Sequence, residues 1–161
     1  MPDYLVQQTS EFVHCYDSVP CQWPKYADFI LAYIDVEAPG GGMSNYAYAI
    51  RHRPHAHIIS ITTKGEPNAR VADCEKGDLT PAQAAEWAIE EDRAGRLPMI
   101  YCDASTKDLI IPLLKGAHCQ WWLADWDNKA IIPPGYSAKQ YSSNNQYDTS
   151  VIYTKAALIK I

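Results

Sequence analysis

No apolar run in the sequence approaches the roughly 18 residues that a membrane-crossing helix needs, so no membrane span is expected. There is no dense stripe of lysine or arginine. The 14 basic residues stand against 19 acidic ones, for a formal net charge of −5, which argues against nucleic acid as the main partner. No C-x-x-C pair occurs among Cys15, Cys21, Cys74, Cys102 and Cys119, which argues against a zinc ribbon or redox motif. The thiols read as small buried hydrophobes of a reducing compartment. Spacing alone leaves a local Cys15–Cys21 disulfide open. The one histidine cluster, His52, His55 and His57, has H-x2-H-x-H spacing across Pro54 and fits neither a helical pair nor a zinc pattern, so neither metal nor cofactor is expected. Residues 1–12 lack a basic segment followed by an apolar one, so the chain reads as made in the cytoplasm without a secretion signal. There is no internal repeat, low-complexity tract or linker, and the 161 residues read as one domain, 1–161.

What the sequence does contain is rhythm. Short apolar runs rich in branched and aromatic residues recur at 12–16, 29–34, 57–62, 69–72, 98–102, 120–124, 137–141 and 150–154. Each has the length and composition of a strand. Helices fit several gaps. Thr80-Pro81-Ala82-Gln83 has an N-cap, a proline at the first helical position and a glutamine placed to close a capping box, with Gly95 as the stop. A second helix reads over 105–115, with Pro112 imposing a kink or an early end. A third reads over 44–53, stopped by Pro54, and 23–28 has room for a single turn. Strand–helix alternation over the first two-thirds predicts parallel βα units. The links after Ala124 and Tyr141 are too short for helices. A complete eightfold barrel takes about 250 residues. The expected fold is therefore an α/β, trimmed TIM-like (β/α) barrel with eight strands and a reduced helix set.

The carboxylates fall where such a fold does its chemistry. Asp17, Asp35, Asp73, Asp103 and Asp125 each follow a strand run. In a parallel barrel those ends share one face, the face that carries active sites. Aspartate also favours turns at strand ends, an explanation that serves Asp35, Asp103 and Asp125 singly better than it serves the set. Asp73-Cys74-Glu75 carries more: on extended backbone, residues i and i+2 point the same way. Both carboxylates then face the mouth while Cys74 packs behind. Two close carboxylates resist ionising together, which raises one pKa and makes a general acid at neutral pH. Glycoside cleavage uses such a pair.

The series YDS (16–18), ILAYID (30–35), ADCEKGDLTPAQA (72–84), MIYCDAST (99–106), WWLADWD (121–127), AKQY (138–141) and YDTSV (147–151) resembles the glycoside-hydrolase-like domains related to family 25 lysozymes, carried by bacteria and bacteriophages. The resemblance spans 12–152. It implies an eight-stranded barrel with few helices and cleavage of the β-1,4 bond between N-acetylmuramic acid and N-acetylglucosamine in peptidoglycan. By the same resemblance Glu75 is the general acid, Asp73 assists at the N-acetyl group or the developing positive charge, and Asp17 and Asp148 hold the geometry and charge of the mouth. Trp126, Asp125, Tyr33, Asp35, Tyr101 and Gln140 are the expected substrate contacts. Of the clustered tryptophans, Trp121 and Trp122 alternate faces of a strand and suit core packing, whereas Trp126 lies beyond it. The second run reads AYIDVEAPGGG and lacks the lysine-containing motif usual in these enzymes. The leading expectation is a lysozyme-like endolysin or virion lysin that acts at the bacterial wall when released or carried by a phage particle. The alternative is a non-catalytic wall-glycan-binding or virion-structural protein on the same barrel.

Overall fold

The computed structural model describes residues 11–158. Eight strands close into a barrel in chain order: β1 (Phe12–Asp17), β2 (Phe29–Tyr33), β3 (His57–Thr62), β4 (Val71–Asp73), β5 (Met99–Cys102), β6 (Gln120–Ala124), β7 (Ala138–Ser143) and β8 (Asp148–Tyr153). Strands β1 to β7 are mutually parallel. Strand β8 runs antiparallel to both β7 and β1. The cause is the link: residues 144–147 are all that joins β7 to β8, and a connection that short makes a hairpin, not a crossover.

Helices cover only part of the outside. They are α1 (Asn45–His52), α2 (Pro81–Arg93), α3 (Ala104–Ile110) and the single-turn α4 (Thr154–Ala157). The capping box of α2 forms as its sequence requires, with Thr80 Oγ1 accepting from Gln83 N and Gln83 Oε1 accepting from Thr80 N. Thr80→Ala is expected to cost about 1 kcal/mol, which lowers the melting midpoint of a domain this size by roughly 2–4 °C in a calorimetric scan. The helix expected over 105–115 starts earlier and splits. Asp103 is its cap, accepting from Thr106 N at 2.7 Å. Pro112 diverts the chain into a 3-10 turn at Ile111–Leu114. Residues 23–28 contain the single turn expected there, with Ala27 N donating to Pro24 O. All five cysteines are free thiols.

Two cores result. Inside the barrel, alternate strand residues Cys15, Leu31, Ile59, Ile61, Val71, Met99, Tyr101, Trp122, Ala138 and Ile152 interlock. Outside, α2 and α3 bury Ala84, Trp87, Ala88 and Ile110 against Ala72, Ile100 and Trp121. Trp121 and Trp122 thus take opposite sides of β6. The barrel is shut at the N-terminal end of its strands. There α4 places Ala156 and Ala157 against the interior, and the Ala157 carbonyl lies 2.9 Å from His57 Nε2. Arg70, 4 % exposed, binds the Leu97 carbonyl, Gln120 and the Ala156 carbonyl at the same end. Access is therefore confined to the opposite, C-terminal end.

Candidate active site

Asp17 is the last residue of β1 and Asp148 the first of β8, and the antiparallel register sets them directly opposite each other. Asp73 ends β4, and the chain then turns sharply: Asp78 N donates to Glu75 O and Leu79 N to Asp73 O. Gly77 makes this turn at a φ of +98°, a backbone region that side chains rarely adopt. Carboxylate oxygens of Asp73, Glu75 and Asp78 come within 4.8 Å of one another. Cys74 points away, buried beside Ala84 and Ala85 beneath α2. The alternation expected of D-x-E is thus realised.

Asp17, Asp73, Glu75 and Asp148 line one cleft, together with Tyr33, Tyr101, Trp126 and Gln140. Its floor is apolar, made by Leu31, Ile61, Val71 and Trp122. Grooves continue on both sides. One runs past residues 76–81, Asp125 and Trp126; the other runs past residues 18–20 and 144–147. Glu75 borders the cleft and both grooves.

Hydrogen bonds and burial set the electrostatics. Asp17 is 5 % exposed; its Oδ1 accepts from Gln140 Nε2 at 3.1 Å and its Oδ2 from the Tyr33 hydroxyl at 3.3 Å. Burial, and then the charge of Asp148, push its pKa up to about 8 in spite of those bonds. Asp73 is equally buried, and its Oδ1 has no hydrogen-bond partner. Burial, then Glu75, Asp78, Asp17 and Asp35, push Asp73 up to about 9. Glu75 is also raised, first by burial and then by Asp78, Asp148 and Asp103, against a lowering influence of the neighbouring Tyr101 hydroxyl. Carboxyls that feel each other this way titrate together, so at neutral pH the cluster carries fewer charges than groups and retains a proton to donate.

The expected contacts divide. Tyr33, Tyr101 and Trp126 line the cleft, and Trp126 is 59 % exposed with its ring available. Gln140 also lines it, but it does so from within: it is 5 % exposed, and its oxygen accepts from both Tyr101 and Trp126. That leaves the oxygen no capacity for a ligand. Asp125 lies in the flanking groove and pairs with Lys139 at 3.6 Å. Asp35 is a correction. Its oxygens accept from Thr62 Oγ1, Thr63 N, Thr63 Oγ1 and Lys64 N, so it ties the β2 and β3 ends together and lines none of the three clefts. Asp103 is spent on capping α3, and the bond from Thr106 N holds its pKa below the ordinary value. Residue-by-residue reading missed Asp78. The signal available was its i+3 spacing from Glu75 across a glycine, which is the spacing of a turn.

No family model matches the chain, and no curated protein sequence does. Among solved structures, a family GH25 lysozyme from Aspergillus fumigatus superposes on 88 % of this chain and 94 % of its own, with a TM-score of 0.53 and 17 % identity. A muramidase from Acremonium alcalophilum covers 90 % of this chain and 97 % of its own at 11 % identity, with a TM-score of 0.39, too low to add to the argument. The eight-stranded, helix-poor barrel of this chain is thus the fold of the Aspergillus family GH25 lysozyme.

Proposed function

We propose that the chain is a glycoside hydrolase that cleaves bacterial peptidoglycan, an N-acetylmuramidase of the lysozyme type. The observation that carries this reading is the placement of Asp17, Asp73, Glu75 and Asp148 on one cleft that continues into a groove on each side. A cleft of that form accepts the interior of a long polymer. In the proposed reaction Glu75 donates its proton to the glycosidic oxygen as the bond to the anomeric carbon breaks. The net negative charge that the Asp17, Asp73 and Asp148 cluster retains stabilises the positive charge that develops on the sugar, and Asp73 acts on the N-acetyl group. A water then adds to the anomeric carbon and returns a proton to the Glu75 carboxylate, so the acid is regenerated. Trp126 offers an exposed ring at the rim, the form of surface on which a sugar face stacks. No cofactor enters this scheme. A role as a phage endolysin or virion lysin rests on the sequence resemblance.

Turbidity clearing of purified bacterial walls, with assay of newly formed reducing ends, tests the proposal. Clearing accompanied by new reducing ends is the expected result. Folded protein that clears none of several wall types, yet sediments with them, would replace the enzyme with a glycan-binding module. Protein that neither clears nor sediments would point to a structural role in the virion.

A further inference from the structure

We infer that Gln140 is a positioning residue: through a single amide it fixes the Asp17 carboxylate inside the cleft and the Trp126 ring at its rim. The inference rests on reading the cleft as that of a glycan hydrolase. Three partners determine the orientation of the amide. Trp126 Nε1, which can only donate, lies 2.6 Å from Gln140 Oε1. The Tyr101 hydroxyl donates to the same oxygen at 2.7 Å. With the oxygen so occupied, Nε2 faces Asp17 Oδ1 at 3.1 Å. Turning the amide over would set N–H against N–H at Trp126 and oxygen against oxygen at Asp17.

The backbone holds the residue just as firmly. Gln140 is paired with Ala124 on one side and Ser150 on the other. Its carbonyl accepts from Asp125 N at 3.1 Å. The register of β7 against β8 shifts between Gln140 and Ser142, and an irregularity of this kind re-aims side chains beside active sites. Among the described residues, the side-chain donors to Asp17 are Gln140 and Tyr33. The same carboxylate faces Asp148 across the strand pair. A fixed donor at this point opposes that repulsion, and the other end of the same amide decides where the Trp126 ring stands. Gln140 therefore couples the buried charge to the exposed aromatic surface without itself touching substrate.

Two variants separate this role from simple packing. Gln140→Glu keeps an acceptor for Trp126 and Tyr101 but sets an oxygen against Asp17. Gln140→Leu removes both functions. The readouts are the 13C carboxyl titration of Asp17, the indole N–H resonance of Trp126, and kcat and KM on solubilised wall glycan. In both variants the Asp17 midpoint is expected to rise by about one unit or more. The Trp126 resonance should move in Gln140→Leu and hold its wild-type position in Gln140→Glu. The expected kinetics are a kcat at least about tenfold lower in Gln140→Glu with KM little changed, and a KM increase added in Gln140→Leu. An Asp17 midpoint and a Trp126 resonance that stay put in folded Gln140→Leu protein would overturn the inference. Both spectroscopic readouts work on inactive protein, so a failure of the hydrolase reading would be seen separately, as absent turnover in the wild type.

Discussion

Glu75→Gln is expected to reduce wall clearing by about 10²–10⁴-fold, the range over which a positioned general acid accelerates a reaction, with little change in the folded structure. Glutamine matches glutamate in shape and has no proton to give. The environment of Glu75 explains the size of the effect. Burial and the nearby charges of Asp78, Asp148 and Asp103 favour the protonated form, and the Tyr101 hydroxyl alone pulls the other way. The acid therefore holds its proton nearer to neutral pH than a free glutamate would. The wild-type rate should accordingly fall as pH rises through the raised Glu75 value. The residual rate of Glu75→Gln should lack that limb. Walls, reducing-end assays and circular dichroism on both proteins make the comparison. A variant that clears walls at the wild-type rate would remove Glu75 from the chemistry and, with it, the mechanism proposed here.

Asp73→Asn is expected to stabilise the protein at pH 8 while lowering its activity. Asp73 is buried, and its Oδ1 has no partner. Its pKa is about 9 in the folded chain, against an ordinary value of 3.8. The folded state thus holds this proton more tightly than the unfolded chain does. The corresponding stability is complete below about pH 4 and is lost as pH rises toward 9. Asp17, raised to about 8, adds a slope of the same sign. Wild-type protein should therefore melt at progressively lower temperature between about pH 4 and pH 9, a window set by those values. The neutral amide removes one component of the slope. A gain of about 1–3 kcal/mol at pH 8 follows from removing the share of that slope due to Asp73, or roughly 2–12 °C in melting midpoint for a domain of this size. At pH 4 the two proteins should melt together. A variant less stable than wild type at pH 8 would show that Asp73 finds compensation in the folded cleft. The pairing of gained stability with lost activity is the usual sign of strain retained for function.

Much of this was legible in the chain itself. The eight strand runs were visible because buried strands need branched and aromatic residues in short stretches, and these do not overlap with helical spacing. The α2 start at Thr80 was visible because a capping box is a contact within four residues, independent of the rest of the fold. The common direction of Asp73 and Glu75 needed only the two-residue period of extended backbone. In each case the determining interaction is local, and a local interaction is written in adjacent letters.

The remaining assignments needed the closed barrel. Asp35 and Asp73 look alike in sequence, each at the end of a strand run. What separates them is which neighbours supply donors: Thr62, Thr63 and Lys64 surround the first, whereas none reaches Oδ1 of the second. Gln140 looks like a ligand contact until Trp126 and Tyr101 take its oxygen. The facing of Asp17 and Asp148 depends on β8 reversing direction, which sets residues 131 positions apart in register. By itself, then, the sequence determined the strands, the capped helix and the stock of carboxylates. Tertiary structure alone decided which carboxylates lose their water and their donors, because desolvation and repulsion depend on distance through space, and barrel closure sets those distances.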